Sequence, residues 1–264
     1  DLRRVLEESK SPQFPPPYKD EIILEPSFET IFKTLDSLEN EEFVTFDIET
    51  DRTQIICIGF GWSKERAICI PIFYNGNSWW TPEQELAIIE RIKRFMESER
   101  VKFIAQNAQF DMIYIRDQWG VRVPGLWMDT MIGFHCCYPE LPKGLDFLCS
   151  IYTHRPYYKG MLRDHSNPKQ LWHYNMLDTV VTWECAMEIK KELEEFGTWD
   201  FYKEKVHPLI SPLIDIQRRG VKIDLLKREA LDKELEEQTE RMQLQLNEAV
   251  GHELNVSSPL QMKK

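Results

Sequence analysis

Asp47 and Glu49 stand two residues apart in the run "EFVTFDIE", flanked by Phe43, Val44, Phe46 and Ile48. In a strand, period two puts both carboxylates on one face, roughly 6 to 7 Å apart. Two acids sharing a face of an otherwise apolar strand repel each other unless they bind a cation or accept several hydrogen bonds. Two further acids sit in comparable settings. Asp111 opens a helical run after "AQNAQF", and Asp178 lies among Met176, Leu177, Val180 and Val181 in a long helical pattern. Aspartate is a poor helix-interior residue, and a buried one needs a partner. A divalent cation is an economical partner, and hard oxygen donors without a histidine or cysteine requirement select magnesium or manganese over zinc. Four carboxylates can hold two such ions, about 3.5 to 4 Å apart, to stabilise both the attacking and the leaving oxygen of a phosphoryl displacement.

In "WHYNMLDT", Tyr174 precedes Asp178 by four residues and His173 by five. Four residues of an α-helix return to within about 40° of the starting direction, whereas five point about 140° away. Tyr174 can therefore share a face with Asp178, and His173 reaches it only through an irregular helix.

The elements that must position these residues follow from pattern. "EFVTFDIE", "QIICIGFGW" and "RAICIPIF" are rich in β-branched and aromatic residues and separated by short polar turns, which predicts an antiparallel meander. "TPEQELAIIERIKRFMES" carries Thr81 as N-cap, Pro82 at the first helical position and Gln84 to complete a capping box. "VKFIAQNAQFDMIYIRDQWG" predicts a strand, a polar turn at Gln106 and Asn107, and a helix ending near Gly120. "LWMDTMIGFHCCY" reads as a strand edge running into a helix, "GLDFLCSIY" as a short helix, and "PKQLWHYNMLDTVVTWECAMEIKKELEEF" as a long one. An α/β domain with a mixed sheet flanked by helices is expected over residues 23–200. It is preceded by a proline-rich arm or linker over 1–22 ("SPQFPPPYKDE") and followed over 201–264 by a charged helical arm with Leu231, Leu235, Met242 and Leu246.

The chain has 264 residues, 42% apolar content and a formal net charge of -11. That charge argues against a nucleic-acid partner, but a nuclease that holds divalent cations must concentrate carboxylates. The segment "HRPYYKGMLRDHSNPKQ" offers a local strip in which Arg155, Lys159, Arg163 and Lys169 interleave with Tyr157 and Tyr158, suited to single-stranded nucleic acid. The six cysteines include no C-x-x-C pair, so free thiols are expected rather than disulfides or zinc. No apolar run approaches the roughly 20 residues needed to cross a bilayer, and the charged start "DLRRVLEESK" does not read as a signal peptide. The expectation is an intracellular protein with no membrane partner.

"FDIET", "NAQFD" and "YNMLD" resemble the three motifs of the DEDD superfamily of 3′-5′ exonucleases, whose fold is ribonuclease-H-like. "HPLISPLIDIQRRGVKID" and "GHELNVSSPLQM" resemble the segment in which a family A DNA polymerase passes from its proofreading domain into the thumb. The resemblance covers almost everything after residue 24. It implies DNA proofreading from a single-stranded or frayed 3′ end, two divalent cations (Mg2+ or Mn2+), and the polymerase domain of a longer chain as partner. No palm or fingers motif is present up to Lys264, so polymerisation is not expected of this chain.

The superfamily divides by the assistant in its last motif, tyrosine four before the final Asp or histidine five before it, and the family A likeness points to Tyr174. The resemblance further implies that Asp47, Glu49 and Asp178 hold one ion, that a second bridges Asp47 and the scissile phosphate, and that Asp111 acts largely through water. Tyr174 would orient the attacking water, since a phenol with an ordinary pKa near 10 is a poor base at neutral pH. Thr50, Gln106, Asn107 and Phe110 are implied near the terminal nucleotides, while Asp129 of "MDT" matches a structural position and no metal ligand. One departure stands out: only "DRT" separates Thr50 from the next strand, where the family has a longer loop. Two alternatives are a ribonuclease-D-like exonuclease acting on RNA and a non-catalytic scaffold. The polymerase-like C-terminal wording opposes the first, and the presence of all four acids with Tyr174 opposes the second.

Overall fold

In the computed structural model the described residues are 6, 9–10, 16–51, 53–160 and 167–263, and the chain divides into two compact units, Asp1–Arg218 and Arg219–Lys264. The first unit is built on six strands: β1 (Glu21–Ile23), β2 (Phe43–Asp51), β3 (Gln54–Gly61), β4 (Arg66–Pro71), β7 (Lys102–Ala105) and β8 (Leu126–Asp129). Their order in the sheet is β1-β4-β3-β2-β7-β8. The meander read from sequence is present, with β2-β3 and β3-β4 antiparallel. The outer pairs β1-β4, β2-β7 and β7-β8 are parallel, so the sheet is mixed. A small hairpin, β5 (Phe73–Tyr74) and β6 (Asn77–Ser78), turns through Asn75 and Gly76, both at positive φ as a tight two-residue turn demands.

Two apolar layers lie on the two faces of this sheet. On one, Val44, Phe46 and Ile48 of β2 join Ile58 and Phe60 of β3 in a cluster with α1 (Phe28–Leu38) and α2 (Pro82–Met96). The expected capping box of α2 is formed, the Thr81 side chain accepting from the Gln84 N–H and Gln84 accepting in return. Helix α1 was not among the elements read from sequence. Ser27 caps it and it buries Ile31, Leu35 and Leu38, a one-sided stripe of three turns. The opposite layer contains α4 (Thr130–Cys137), α5 (Leu145–Tyr152) and α6 (Pro168–Glu195).

Helix α6 is enclosed on several sides, with every residue from Tyr174 to Thr182 buried. Such enclosure buries Asn175 and Asp178 among Met176, Leu177, Val180 and Val181, where each polar group needs a partner. The approach of α6 to the sheet depends on two glycines of β3. A Cβ on Gly59 would stand 2.3 Å from Asn175 Oδ1, and one on Gly61 would stand 2.6 Å from Thr45 Oγ1 and 3.0 Å from Thr179 Oγ1. Glycine within a strand marks such close approaches.

Helix α3 (Ala108–Trp119) begins after Asn107, which takes the left-handed conformation, and ends at Gly120, which does the same. Beyond α6 come a short turn α7 (Trp199–Phe201), a wide π turn over Tyr202–Val206 and α8 (Ile210–Arg219). The second unit consists of α9 (Leu225–Val250), capped by Asp224 and ended by left-handed Gly251, and α10 (Pro259–Met262). No residue of α9 is buried, and its Leu231, Leu235 and Met242 are exposed. Among the described residues all six cysteines are free, and no helix is long and apolar enough to cross a membrane.

Candidate active site

Asp47 and Glu49 project from the central strand β2 on the face that α6 covers, because the alternate residues Val44, Phe46 and Ile48 are held in the opposite layer. Asp178 comes from the enclosed middle of α6. Together the three acids offer one oxygen each within 4.8 Å of one another. Asp111, in the first turn of α3, stands beside them: its Oδ1 accepts the backbone N–H of Ile48 at 3.0 Å, and its charge acts on Asp47 and Glu49. The four sequence-predicted acids are thus gathered at one place, three of them as a cluster and Asp111 alongside.

Burial pushes all four carboxyl groups upward. Asp47 is held well above the usual carboxylate range by burial, then by Asp111, Asp178 and Glu49. Glu49 is pushed to about 8 by burial and Asp178, and Asp111 to about 8 by burial, with the Ile48 N–H acting against it. Asp178 is raised by burial and opposed chiefly by Lys159. Buried acids crowded in this way are starved of positive charge. Closely spaced hard oxygen donors with unmet negative charge fit a divalent cation such as magnesium or manganese.

Tyr174 lies one turn before Asp178 on the same helix, and its hydroxyl accepts a hydrogen bond from Lys159, which also binds the Asp178 carboxylate. Burial, then Asp178, Glu49 and Asp47, drives the phenol's pKa upward, so it keeps its proton. His173 is half-buried elsewhere. The charges acting on it are Asp20 and Arg155, and burial holds its pKa below the ordinary value. The regular helix therefore separates the two neighbours as its geometry requires.

Three residues near the acids escaped the reading of the sequence or were given another role. Asn175 Nδ2 donates to Asp47 Oδ2 at 2.7 Å and to the Asp47 carbonyl at 3.1 Å, fixing the strand acid from the helix. An asparagine inside an apolar helix is as conspicuous as the aspartate three residues on, and that was the available signal. Tyr158 and Lys159, read as part of a nucleic-acid strip, both bind Asp178. The Tyr158 hydroxyl donates to Oδ1 at 2.6 Å, and Lys159 Nζ to Oδ1 and Oδ2 at 2.8 and 2.7 Å.

The rest of that strip is likewise committed to acids. Arg155 grips both oxygens of Asp20 at 3.0 and 2.6 Å and covers the ring of Tyr18 at 3.9 Å, and Lys169 pairs with Glu25 at 2.6 Å. Tyr157 is the strip's exposed aromatic, at 74%. Arg163 lies outside the described residues. Composition alone cannot show that Arg155, Lys159 and Lys169 have partners within the chain, and this is why the strip read as a ligand surface.

Thr50 follows the cluster at a register shift in β2, and pairing continues to Asp51 opposite Gln54. Gln106 is tied at both ends of its amide, donating to the Lys143 carbonyl at 2.8 Å and accepting from Thr130. Asn107 has an exposed side chain, and its backbone N–H is taken by Asp129 Oδ1 at 3.1 Å. Phe110 is 45% exposed and packs on Tyr114 with ring centroids 4.9 Å apart. Asp129 accepts the backbone N–H groups of Asn107, Ala108, Met131 and Ile132, joining the start of α3 to the start of α4. Burial raises it only to about 6 against those four donors.

The comparisons with known proteins agree with this geometry. A family model for the 3′-5′ exonuclease of DNA polymerase A matches residues 28–194. DNA polymerase I of Synechocystis is 26% identical over 237 residues, covering 83% of this chain and 24% of that protein, so the chain spans about a quarter of this relative's length. Among solved structures, the POL domain of Pol1 from M. smegmatis in complex with DNA primer-template and dNTP superposes with a TM-score of 0.64 at 17% identity, over 92% of this chain and 39% of that one. Escherichia coli RNase D, an exoribonuclease involved in structured RNA processing, gives 0.57 at 14% identity, over 77% and 52%. At such identities the structural likenesses establish the fold. With the family model matched over more than half of its length, the chain belongs to the 3′-5′ exonuclease domain family of family A DNA polymerases.

Proposed function

We propose that this chain is a metal-dependent exonuclease that shortens DNA from a single-stranded or frayed 3′ end, releasing nucleoside monophosphates, and that it is the proofreading part of a longer family A polymerase. The observation that carries the reading is the convergence of Asp47, Glu49 and Asp178 within 4.8 Å, with Tyr174 one turn before Asp178 and linked to it through Lys159. Asp47, Glu49 and Asp178 would hold one divalent cation, with Asp47 and Asp111 serving a second. When bound, such ions neutralise charge on the transferring phosphoryl group and activate water.

The protein's own groups do the positioning. Asn175 fixes the Asp47 carboxylate, the Ile48 N–H fixes Asp111, and Tyr158 holds one oxygen of Asp178. Tyr174, kept protonated by its surroundings, would donate a hydrogen bond to orient the water aligned against the terminal phosphodiester. Attack at phosphorus breaks the bond to the 3′ oxygen of the penultimate nucleotide, and that oxygen takes up a proton as it leaves. Thr50, Asn107 and the exposed ring of Phe110 would line the path of the last nucleotides, with Gln106 bracing the loop beneath them. In this reading residues 23–200 form the exonuclease, 1–22 an arm and 201–264 the start of the thumb.

The test is degradation of 5′-labelled single-stranded DNA, beside RNA of the same sequence, with magnesium, manganese or chelator. Stepwise, metal-dependent shortening of DNA is expected. Intact DNA from folded protein would sink the catalytic reading, and a preference for RNA would transfer it to ribonuclease-D-like chemistry.

A further inference from the structure

Among the described residues, the Lys159 ammonium binds Asp178 and its charge acts on Asp47 and Glu49. Lys159 Nζ forks the two oxygens of Asp178 at 2.8 and 2.7 Å, donates to the Tyr174 hydroxyl and lies 4.5 Å from the centre of the Tyr174 ring. Its side chain is only 20% exposed. The position is therefore a built one, enclosed by Tyr158, Tyr174 and Asp178, and it is not that of a surface lysine that happens to meet an acid. Lys159 also lies outside the helices and strands that fix the acids, on the segment between α5 and α6.

A divalent cation placed among Asp47, Glu49 and Asp178 must draw on the same Asp178 oxygens that this ammonium occupies, and it would stand within a few ångströms of a like charge. At such distances, in a site of low effective dielectric, repulsion between an ammonium and a doubly charged ion is strong. A lysine differs from an arginine here: it is a point charge on a flexible four-carbon stem and can move without disturbing its backbone. We propose that Lys159 is the resident counter-ion of this site, holding Asp178 and Tyr174 in register in the metal-free protein, competing with the metal for Asp178 and leaving the carboxylate when the ion enters. Lys159 is on this account a positioning residue. It keeps the final-motif acid preformed, and it raises the metal concentration at which the site fills. The inference rests on the metal-binding role proposed above.

The experiment is a calorimetric titration of manganese into the full chain at neutral pH without DNA, comparing wild type, Lys159→Met and Lys159→Arg. Removing the competing charge should tighten binding in Lys159→Met by about tenfold, while Lys159→Arg, which restores a cation, stays within about threefold of wild type. Equal or weaker binding in Lys159→Met overturns the proposal. If neither the wild type nor the variant binds manganese, the metal-binding role itself fails and takes this inference with it.

A second readout needs no variant. The rate of amine acylation at Lys159, followed by mass spectrometry on the wild type, should rise about fivefold when manganese replaces chelator, because the ammonium loses the partners that mask it. An unchanged or slower rate overturns the proposal even if Lys159→Met does not fold.

Discussion

Asp129 is a carboxylate buried at the junction of β8 and α4 with four backbone N–H groups around it. Asp47 and Glu49 of the same sheet and Asp178 of α6 are carboxylates drawn together, and among the described residues the side-chain donors to Asp47 and Asp178 are the Asn175 amide, the Tyr158 hydroxyl and the Lys159 ammonium. Both settings desolvate the acid, but their electrostatic outcomes diverge: Asp129 rises only to about 6, Glu49 reaches about 8, and Asp47 goes well above the usual range. The difference separates an acid that completes a fold from acids that wait for something. Where the backbone supplies the donors, the carboxylate is a structural brace. Where the surrounding groups are other carboxylates, the fold carries an unfavourable charge concentration that a bound cation would relieve.

The comparison breaks most sharply under substitution. Asp178→Ala should reduce exonuclease turnover by about a thousandfold or more, measured as release of labelled mononucleotide, and leave the protein folded. Should turnover survive, the cluster is not the catalytic centre. Asp129→Ala should behave in the opposite sense, abandoning four donors at two helix starts and lowering unfolding free energy by about 3 to 5 kcal/mol. Denaturant titration measures that loss, and a change below 1 kcal/mol would erase the distinction between the two kinds of acid.

The same contrast has a pH signature. Glu49 and Asp111 rise from ordinary values of 4.5 and 3.8 to about 8 in the folded state, so between those limits the native protein binds more protons than the unfolded chain. The sign of the linkage is then fixed: stability is greatest below the unfolded values and declines as pH rises through about 8. Metal-free protein should accordingly lose on the order of a few kcal/mol between pH 4.5 and 8, and saturating magnesium should flatten the decline. Thermal unfolding in chelator and in magnesium checks both halves. A stability that climbs with pH in chelator would mean the acids find their compensation within the protein.

Much of this was legible in the sequence because it depends on local period. Alternation set Asp47 and Glu49 on one face of β2, and a four-residue step set Tyr174 beside Asp178. The capping box of α2 and the turn at Asn107 were equally local. What could not be read were partnerships made by distant approach: Asn175 meets Asp47 across 128 residues of sequence, and Arg155 meets Asp20 across 135. Lysine and arginine in a mixed strip carry no mark of whether their partner is a phosphate or an internal carboxylate. Strand β1 escaped because three residues, Glu21–Ile23, give period two almost nothing to repeat. The close passage of α6 over Gly59 and Gly61 was signalled only by two glycines in a strand, whose meaning depends on what lies above them.

The smallest effect tests the finest point, the choice between adjacent residues of α6. Tyr174 lies one turn from Asp178 and cannot readily lose its proton, so its contribution is orientation of water, without proton abstraction. Tyr174→Phe removes that hydroxyl while keeping the ring against Tyr158 and beneath Lys159. Turnover should fall by about ten- to a hundredfold, with the pH profile unchanged in shape because no titrating group has been taken away. His173→Ala, on the other side of the helix, should leave turnover within about twofold, since the charges that act on His173 are Asp20 and Arg155. If His173→Ala instead lost more activity than Tyr174→Phe, the helix would have to unwind near Trp172 when substrate binds. The regular four-residue step that aligns Tyr174 with Asp178 would then describe only the ligand-free protein.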